Sequence, residues 1–129
     1  MPGPVVFISH SRVRPGRLDA LRDFMARGAP ALQSEKPRTL AFLPYLNEDA
    51  SELSIVHVFA DPESFAVHLE GAAERGAVAY EFIETLRFEI YGDPGAGVLA
   101  AMQQAAERLG AGLRIEPDAL TGFLRSGAS

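Results

Sequence analysis

The hydrophobic residues between Val5 and Tyr91 follow two different periods in turn, and the order of these periods limits the fold more than any other feature of the chain. Segments rich in β-branched and aromatic residues, or with apolar residues at alternate positions, indicate strands. Segments with apolar residues three or four positions apart indicate helices. The predicted strands cover residues 5–11, 39–46, 53–59 and 85–91, with one helix after the first strand and another after the third. The predicted order is therefore strand, helix, strand, strand, helix, strand.

Two amphipathic stretches supply the predicted helices. The first begins after Arg17 and has an apolar stripe that consists of Leu18, Leu21, Met25, Ala29 and Leu32. Pro30 lies inside this stripe and is expected to kink or end the helix, because proline donates no backbone hydrogen bond. The second helix is expected to begin at Asp61-Pro62-Glu63, which offers an N-cap and a first-turn proline. We expect Gly76 to interrupt it.

This order of elements is that of a ferredoxin-like β-α-β-β-α-β unit, an α+β fold with a four-stranded antiparallel sheet and both helices on one face. In that topology the first and third strands are central and the second and fourth are edges. An edge position suits Pro44, which cannot donate to a neighbouring strand. Residues 40–46 are apolar on both sides of the strand, which is more than one layer of helices buries. We therefore expect a second protomer to cover the open face of the sheet, so that the chain is a homodimer.

The residues after Gly92 extend beyond this unit. The apolar residues Val98, Ala101, Met102, Ala105 and Leu109 predict a third helix, Leu113 to Ile115 are able to extend the sheet, and Pro117 is expected to open a last short helix. Residues 126–129 are expected to be frayed. We therefore predict a ferredoxin-like domain over residues 1–92 and a C-terminal helical extension over residues 93–129, packed on the same domain or on the partner of the dimer.

Composition excludes several classes of function. The chain of 129 residues contains no Cys, which excludes thiolate nucleophiles and Cys-ligated metals. Its net charge is -5 and its basic residues are scattered, so we expect no nucleic acid partner. No apolar run approaches the roughly 20 residues of a membrane span, and the start Met-Pro-Gly-Pro is unlike a signal peptide. We expect no membrane partner and a cytoplasmic location.

Three histidines are the main candidates for chemistry. His68 lies on or beside an apolar helix face, where it is able to orient or deprotonate an acidic phenol or enol, or else to fix packing through a hydrogen bond. His57 and His10 each interrupt an apolar row of a strand, and adjacent central strands are able to bring these two together. A three-histidine metal site is conceivable, but no His-x-x-x-His spacing supports it, and we predict no metal.

The chain resembles the antibiotic biosynthesis monooxygenase type of domain within the dimeric α/β-barrel superfamily. The resemblance covers Val5 to Tyr91 and rests on two motifs: Arg14-Pro15-Gly16-Arg17 after the first strand, and the strand Leu53 to Phe59 running through Asp61-Pro62-Glu63 into a Phe-x-x-His helix. The resemblance implies a ferredoxin-like fold that pairs as a barrel. The chain departs from the quinone-forming and haem-degrading branches, which carry a pocket Trp and Asn, because it has no Trp and its only Asn, Asn47, lies in a turn.

This resemblance implies a cofactor-independent monooxygenase that acts on a small aromatic or quinol-like substrate in an apolar pocket. His68, with His57, would be catalytic, and the residues that would contact a small hydrophobic ligand are Phe65, Tyr45, Phe88 and His10. Two other functions stay open: a non-catalytic dimer that binds a small molecule or serves as an interaction module, and a polyketide-cyclase-like enzyme that needs no oxygen. No cofactor is expected in any of these cases.

Overall fold

A computed structural model describes residues 3–125 of the chain. The elements follow the predicted order, with an additional helix and an additional strand. They are β1 (Val5–Val13), α1 (Leu18–Glu35), β2 (Thr39–Leu46), β3 (Glu52–Phe59), α2 (Pro62–Leu69), α3 (Ala72–Ala79), β4 (Ile83–Tyr91), α4 (Ala96–Leu109) and β5 (Gly112–Glu116). The fraying predicted for residues 126–129 lies outside the described residues. No helix among residues 3–125 has the length and apolar character needed to cross a membrane.

The strands form one sheet in the order β2-β3-β1-β4-β5. The first four pair antiparallel, as in a ferredoxin-like unit, and this confirms the predicted fold class. β5 pairs in parallel with β4, which makes the sheet five-stranded and mixed. The prediction that the fourth strand is an edge was therefore wrong. A parallel neighbour of β4 has to begin toward the same end of the sheet as β4, and the helix α4 returns the chain in that direction. Residues 112–116 then pair with the free side of β4.

Two helix predictions need correction. Pro30 was expected to kink or end the first helix, and α1 continues through it to Glu35, so only the second alternative is excluded. The predicted second helix is divided into α2 and α3 at Gly71, which adopts a φ of 78°, and Gly76 lies inside α3. No helix forms among residues 117–125. In that segment Leu120 and Phe123 are 96% and 83% exposed, so a short helix there would lack the packing that stabilises most protein helices.

The core consists of two adjoining clusters on the helix-covered face of the sheet. The larger lies between the sheet, α2 and α4, and its buried members are Val5, Phe7, Phe59, Phe65, Phe88, Ile90, Met102 and Ala106. The smaller lies under α1, and its buried members are Leu21, Leu53, Ile55 and Ile83. The other face of the sheet carries Val6, Ile8, Val56 and Val58, which are only partly buried. The homodimer expected to cover that face stays a prediction.

Gly92 directly follows β4, and its backbone packs against the residues at the start of β1. It adopts a φ of 99°, and a Cβ at this position would lie 2.5 Å from the carbonyl oxygen of Pro4. We expect Gly92→Ala to lower the free energy of unfolding by about 2 kcal/mol or more, because alanine adds both backbone strain and a clash. Urea unfolding followed by circular dichroism measures this loss.

Gly28 provides the matched control for that substitution. It lies in the interior of α1, where an added Cβ meets no atom within 4 Å. Gly28→Ala is expected to raise the free energy of unfolding by about 0.5–1 kcal/mol, since alanine loses less backbone entropy in a helix. Equal losses for the two variants would contradict the role assigned to Gly92.

Candidate functional site

His57 lies in the middle of β3 on the helix-covered face of the sheet. Its imidazole is 5% exposed and stacks on the ring of Phe7 at a centroid distance of 4.7 Å. Nδ1 lies 3.0 Å from the carbonyl oxygen of Phe7. Because a carbonyl only accepts, this Nδ1 carries the proton and Nε2 keeps the lone pair. Burial is the main cause that lowers the pKa of His57 to about 4, so the ring is neutral at pH 7.

His68 lies in the last turn of α2, facing His57. Asp61 accepts a hydrogen bond from the backbone N–H of Ser64 at 2.8 Å, and this N-cap fixes the start of α2. Phe65 and His68, three positions apart, consequently point to the same side of the helix, toward the sheet. The His68 ring is 5% exposed and stands edge-on to the His57 ring at a centroid distance of 5.1 Å. The two histidines therefore form one buried pair, the His57–His68 pair.

Two cationic side chains stand close to this pair. Lys36, at the C-terminal end of α1, donates from Nζ to the carbonyl oxygen of Val67 at 2.9 Å. Arg75 of α3 donates to the carbonyl oxygens of His68 and Glu70, at 2.6 and 2.9 Å. Both cations satisfy carbonyls at the C-terminal end of α2, where a helix has unpaired acceptors and partial negative charge.

These surroundings disfavour protonation of His68. Burial is the largest cause that lowers the pKa of His68 to about 3, followed by His57, Arg75 and Lys36. His68 is therefore neutral at pH 7, and its lone pair is available to a proton donor. An anion bound nearby would offset the cations and raise this pKa, because an opposite charge favours the protonated ring.

A cavity of about 380 Å³ between α1 and β2 adjoins the pair. We call it the α1–β2 cavity. Its wall includes Gln33, Lys36, Thr39, Phe42 and Leu43. Thr39 links the cavity to His68, since its Oγ1 lies 2.7 Å from Nδ1 of His68. Phe42 links it to His57, whose ring it meets edge-on at 5.3 Å. Each histidine is therefore separated from the cavity by a single side chain.

A second cavity, of about 520 Å³, lies between α2 and the start of α4. Apolar residues dominate its wall, among them Ala66, Leu69, Val98 and Ala101. Its titratable side chains are two exposed glutamates, Glu63 and Glu70. None of its wall residues carries an imidazole or a hydroxyl group, whereas the wall of the α1–β2 cavity includes Thr39.

The other residues predicted to bind a ligand lie apart from the α1–β2 cavity. Phe65 and Phe88 are members of the larger core cluster, in which the ring of Phe7 lies between them at 5.3 and 5.7 Å. Tyr45 is 57% exposed and pairs with Ser54, so it lies on the open face of the sheet. The expected approach of His10 to His57 was wrong. In the register of β1 and β3, Phe7 is the partner of His57, and three residues along β1 reverse the face, so His10 lies on the opposite side of the sheet.

His10 instead belongs to a polar network on the open face of the sheet. Its Nδ1 lies 2.9 Å from Oγ of Ser54, and its Nε2 lies 2.5 Å from a carboxylate oxygen of Glu89. Tyr91 donates to the other oxygen of Glu89 at 3.2 Å. The hydrogen bond from His10 is the main cause that lowers the pKa of Glu89 below its usual value. Within residues 3–125, no three side chains that could ligate a metal come together.

Sequence reasoning missed Thr39, Lys36 and Arg75. Thr39 was read only as the start of a strand, although its hydroxyl pairs with a histidine 29 positions away. Lys36 and Arg75 come close to His68 because α1 and α2 end, and α3 begins, in the same part of the fold. No local spacing signals such a meeting.

Comparisons with known proteins show which solved structures share this fold. No protein-family model matches the sequence, and no curated protein sequence matches it significantly. Among solved structures, MupZ from Pseudomonas fluorescens matches over 98% of both chains with a TM-score of 0.73 and 16% identity. A putative antibiotic biosynthesis monooxygenase from Chloroflexus aurantiacus matches 68% of this chain and 90% of its own, with a TM-score of 0.55 and 22% identity. A variant of SnoaB, a cofactor-independent oxygenase from Streptomyces nogalater, matches 72% of this chain and 95% of its own, with a TM-score of 0.59 and 16% identity.

At these identities the likeness concerns the fold. The chain has the ferredoxin-like fold of structures described as antibiotic biosynthesis monooxygenases, and this confirms the resemblance predicted from the sequence at the level of the fold. The match to MupZ takes in nearly the whole chain, so the part that follows β4 has a counterpart there.

Proposed function

We propose that the protein is a cofactor-independent monooxygenase that binds a small aromatic or quinol-like substrate in the α1–β2 cavity. The observation that carries this proposal is the hydrogen bond between Thr39, in the cavity wall, and the neutral His68 behind it. The likeness to a structure described as a cofactor-independent oxygenase supports the same class of reaction. Phe42 supplies apolar area for a flat ligand.

The proton path runs from the substrate to His68 through Thr39. The hydroxyl of Thr39 accepts the substrate proton while it donates its own proton to Nδ1 of His68. A substrate anion and an imidazolium result, and each lowers the energy of the other. Lys36 lies in the cavity wall and adds a fixed positive charge, which favours the anion further. His57 is neutral and donates a hydrogen bond from Nδ1 to the carbonyl oxygen of Phe7, and its ring contacts the ring of His68. We therefore assign His57 a positioning role.

The oxidation then takes place between the anion and dioxygen. At an activated aromatic methylene, the carbanion transfers one electron to O₂, and the two radicals combine into a peroxide anion. The peroxide takes a proton from the imidazolium of His68. Loss of the second C–H proton then breaks the O–O bond and leaves a carbonyl and one water. One CH₂ group and one O₂ therefore give one C=O and one H₂O, and the electrons come from the substrate.

We expect His68→Gln to lower kcat/KM for such a substrate on the order of 100-fold, because it removes the proton acceptor while keeping a polar group behind Thr39. Thr39→Val is expected to give a similar loss, since it breaks the path between substrate and base. The measurement is oxygen uptake with anthrone, whose activated methylene fits this step, corrected for the uncatalysed rate.

The control for this experiment is Gln103→Ala, an exposed position on α4 away from both cavities, which should keep the full rate. Turnover that continues without oxygen would contradict the proposal and favour the cyclase-like enzyme. Recovery of a bound ligand chemically unaltered, with no uptake above background, would favour the binding protein.

A further inference from the structure

A group of polar side chains lies among apolar ones on the open face of the sheet. In the register of β3, β1 and β4, the residues directly opposite one another in one row are Ser54, His10 and Arg87. The next row, toward the start of β1, consists of Val56, Ile8 and Glu89. Opposite side chains on one face have Cβ atoms about 4.5–5.5 Å apart and diagonal ones about 7–8 Å apart, so the polar groups of the two rows are within reach of one another. We call Ser54, His10 and Glu89 the Ser–His–Glu cluster.

Two hydrogen bonds join the three side chains of the cluster. Nε2 of His10 lies 2.5 Å from Oε1 of Glu89, and Nδ1 of His10 lies 2.9 Å from Oγ of Ser54. Because an ionised carboxylate only accepts hydrogen bonds, Nε2 carries the ring proton and Nδ1 keeps its lone pair. The hydroxyl of Ser54 consequently donates to Nδ1. A hydroxyl held on the lone pair of a histidine, which a carboxylate orients from the other side, is the arrangement that activates a serine as a nucleophile.

Glu89 is ionised and fixed in position within this cluster. The hydrogen bond from His10 is the main cause that lowers the pKa of Glu89 below its usual value, so its carboxylate is charged at pH 7. Tyr91 donates to the second carboxylate oxygen at 3.2 Å. Both oxygens of Glu89 are therefore occupied, and the ring of His10 is held from its two nitrogens.

The cluster is open to a small molecule in the described chain. The side chains of His10 and Glu89 are 16% and 18% exposed, and Ser54 is half-buried. Arg87 is exposed and lies directly opposite His10, so it adds a positive charge beside the cluster. Ile8 and Val56 are half-buried in the next row and supply apolar surface. A molecule that reaches Ser54 thus meets a base, a cation and an apolar surface together.

We infer that Ser54 is a nucleophile that accepts the acyl group of a small activated ester, with His10 as its general base and Glu89 as the positioning residue for His10. This activity is additional to the proposed oxygenation. The cluster lies on the open face of the sheet, whereas the His57–His68 pair lies on the covered face, so the inference does not rest on the proposed function.

The reaction consists of two acyl transfers. Oγ of Ser54 attacks the ester carbonyl while Nδ1 of His10 takes the hydroxyl proton. The bond between the carbonyl carbon and the leaving oxygen breaks, and the leaving group takes that proton from His10. Water then attacks the acyl group on Ser54, again with His10 as the base, and the proton returns to Oγ. One ester and one water give one acid and one alcohol or phenol. Arg87 favours the oxyanion that forms at each transfer, because its charge is opposite.

Diisopropyl fluorophosphate tests the reactivity of Ser54. The attack forms a bond between Oγ and phosphorus, breaks the P–F bond and releases fluoride. Ser51 is the control within the same molecule, since its hydroxyl is exposed but donates to the carboxylate of Asp49 instead of a histidine. We expect peptide mass mapping to show labelling of Ser54 on the order of 100-fold faster than that of Ser51, because general-base activation increases the rate by at least this factor.

The ester para-nitrophenyl acetate tests the acyl transfer itself. The chain contains no Cys and a single Lys, so few other groups compete for the acetyl group. Ser54→Ala and His10→Gln are each expected to lower the release of para-nitrophenolate on the order of 100-fold, whereas Ser51→Ala should keep the full rate. Circular dichroism verifies that each variant is folded.

The role of Glu89 has a spectroscopic readout of its own. We expect Glu89→Gln to lower the release on the order of 10-fold or more, because the amide no longer fixes the tautomer of His10. NMR of the ring nitrogens should show the proton on Nε2 in the natural chain and a larger share on Nδ1 in the variant, since an amide is able to donate as well as accept. A merely structural contact would leave the tautomer unchanged.

Equal labelling of Ser54 and Ser51 would overturn the inference, as would full release of para-nitrophenolate by Ser54→Ala. A second copy that covered the open face in solution and kept the reagent away from Ser54 would overturn it in the same way. None of these measurements uses oxygen. A protein that consumes oxygen with anthrone but leaves Ser54 unlabelled would therefore contradict this inference and leave the proposed function in place.

Discussion

Acidification from pH 7.5 to pH 5 is expected to lower the free energy of unfolding by about 4 kcal/mol, about 2 kcal/mol for each member of the His57–His68 pair. Burial holds the pKa of His57 at about 4 and that of His68 at about 3, against 6.5 for an exposed imidazole. At pH 5 the unfolded chain therefore binds two protons that the folded chain does not bind. Stability is present in full above pH 6.5 and falls as the pH drops toward the folded pKa values. Urea unfolding at a series of pH values measures the slope.

The slope of the free energy of unfolding against pH, rather than its absolute value, shows which groups cause the loss of stability. His68→Gln removes one of the two titrating groups and should reduce the slope between pH 5 and pH 6.5 by about half, whatever its effect at pH 7.5. Above pH 5 the carboxylates contribute little, because the pKa values of Asp49, Asp61 and Glu89 are lowered from their usual values by hydrogen bonds. An unchanged slope in this variant would contradict the neutral, buried state assigned to His68.

Phe65→Ala is expected to lower the free energy of unfolding by about 3–5 kcal/mol. The ring of Phe65 is 0% exposed and stacks on Phe59 and Phe7 at centroid distances of 4.9 and 5.3 Å. Its removal would leave a void where α2 meets the sheet, because the stacked rings on either side are held by other contacts. Urea or thermal unfolding at pH 7.5, where both histidines are neutral, measures the loss.

Val78→Ala is the control for this substitution. Val78 is 45% exposed on α3 and belongs to neither of the two core clusters. It should change the free energy of unfolding by no more than about 0.5 kcal/mol. A loss for Phe65→Ala as small as this would indicate that Phe65 faces open space, and it would then regain the ligand-binding role that the sequence suggested.

Local patterns were enough to predict most of the fold. The β-branched run from Val5, the alternation around Phe88 and the N-cap at Asp61 each act over a few residues, so their structural consequences are visible in the chain itself. The errors arose where a distant partner decided the outcome. Residues 112–116 form a strand because β4 offers a free side, and residues 117–125 lack a helix because no core lies beneath them in the protomer.

The candidate site could be predicted only in part. The sequence singled out His57 and His68 as polar residues among apolar neighbours, and the structure brings these two rings within 5.1 Å. It also singled out His10, but strand parity places that residue on the open face of the sheet with Glu89. A one-dimensional pattern shows which positions share a face of one strand. It does not show which face of the sheet the helices cover.

The sequence by itself determined the order of the first four strands and the ferredoxin-like topology, and it singled out His57 and His68 as polar residues among apolar neighbours, because hydrophobic periodicity and capping are local properties. Only the tertiary structure decided that Thr39 joins His68 to a cavity and that Lys36 and Arg75 surround that histidine with positive charge. These contacts depend on where α1 and α2 end and where α3 begins. Their positions are set by the packing of the whole core, so no short stretch of the chain records them.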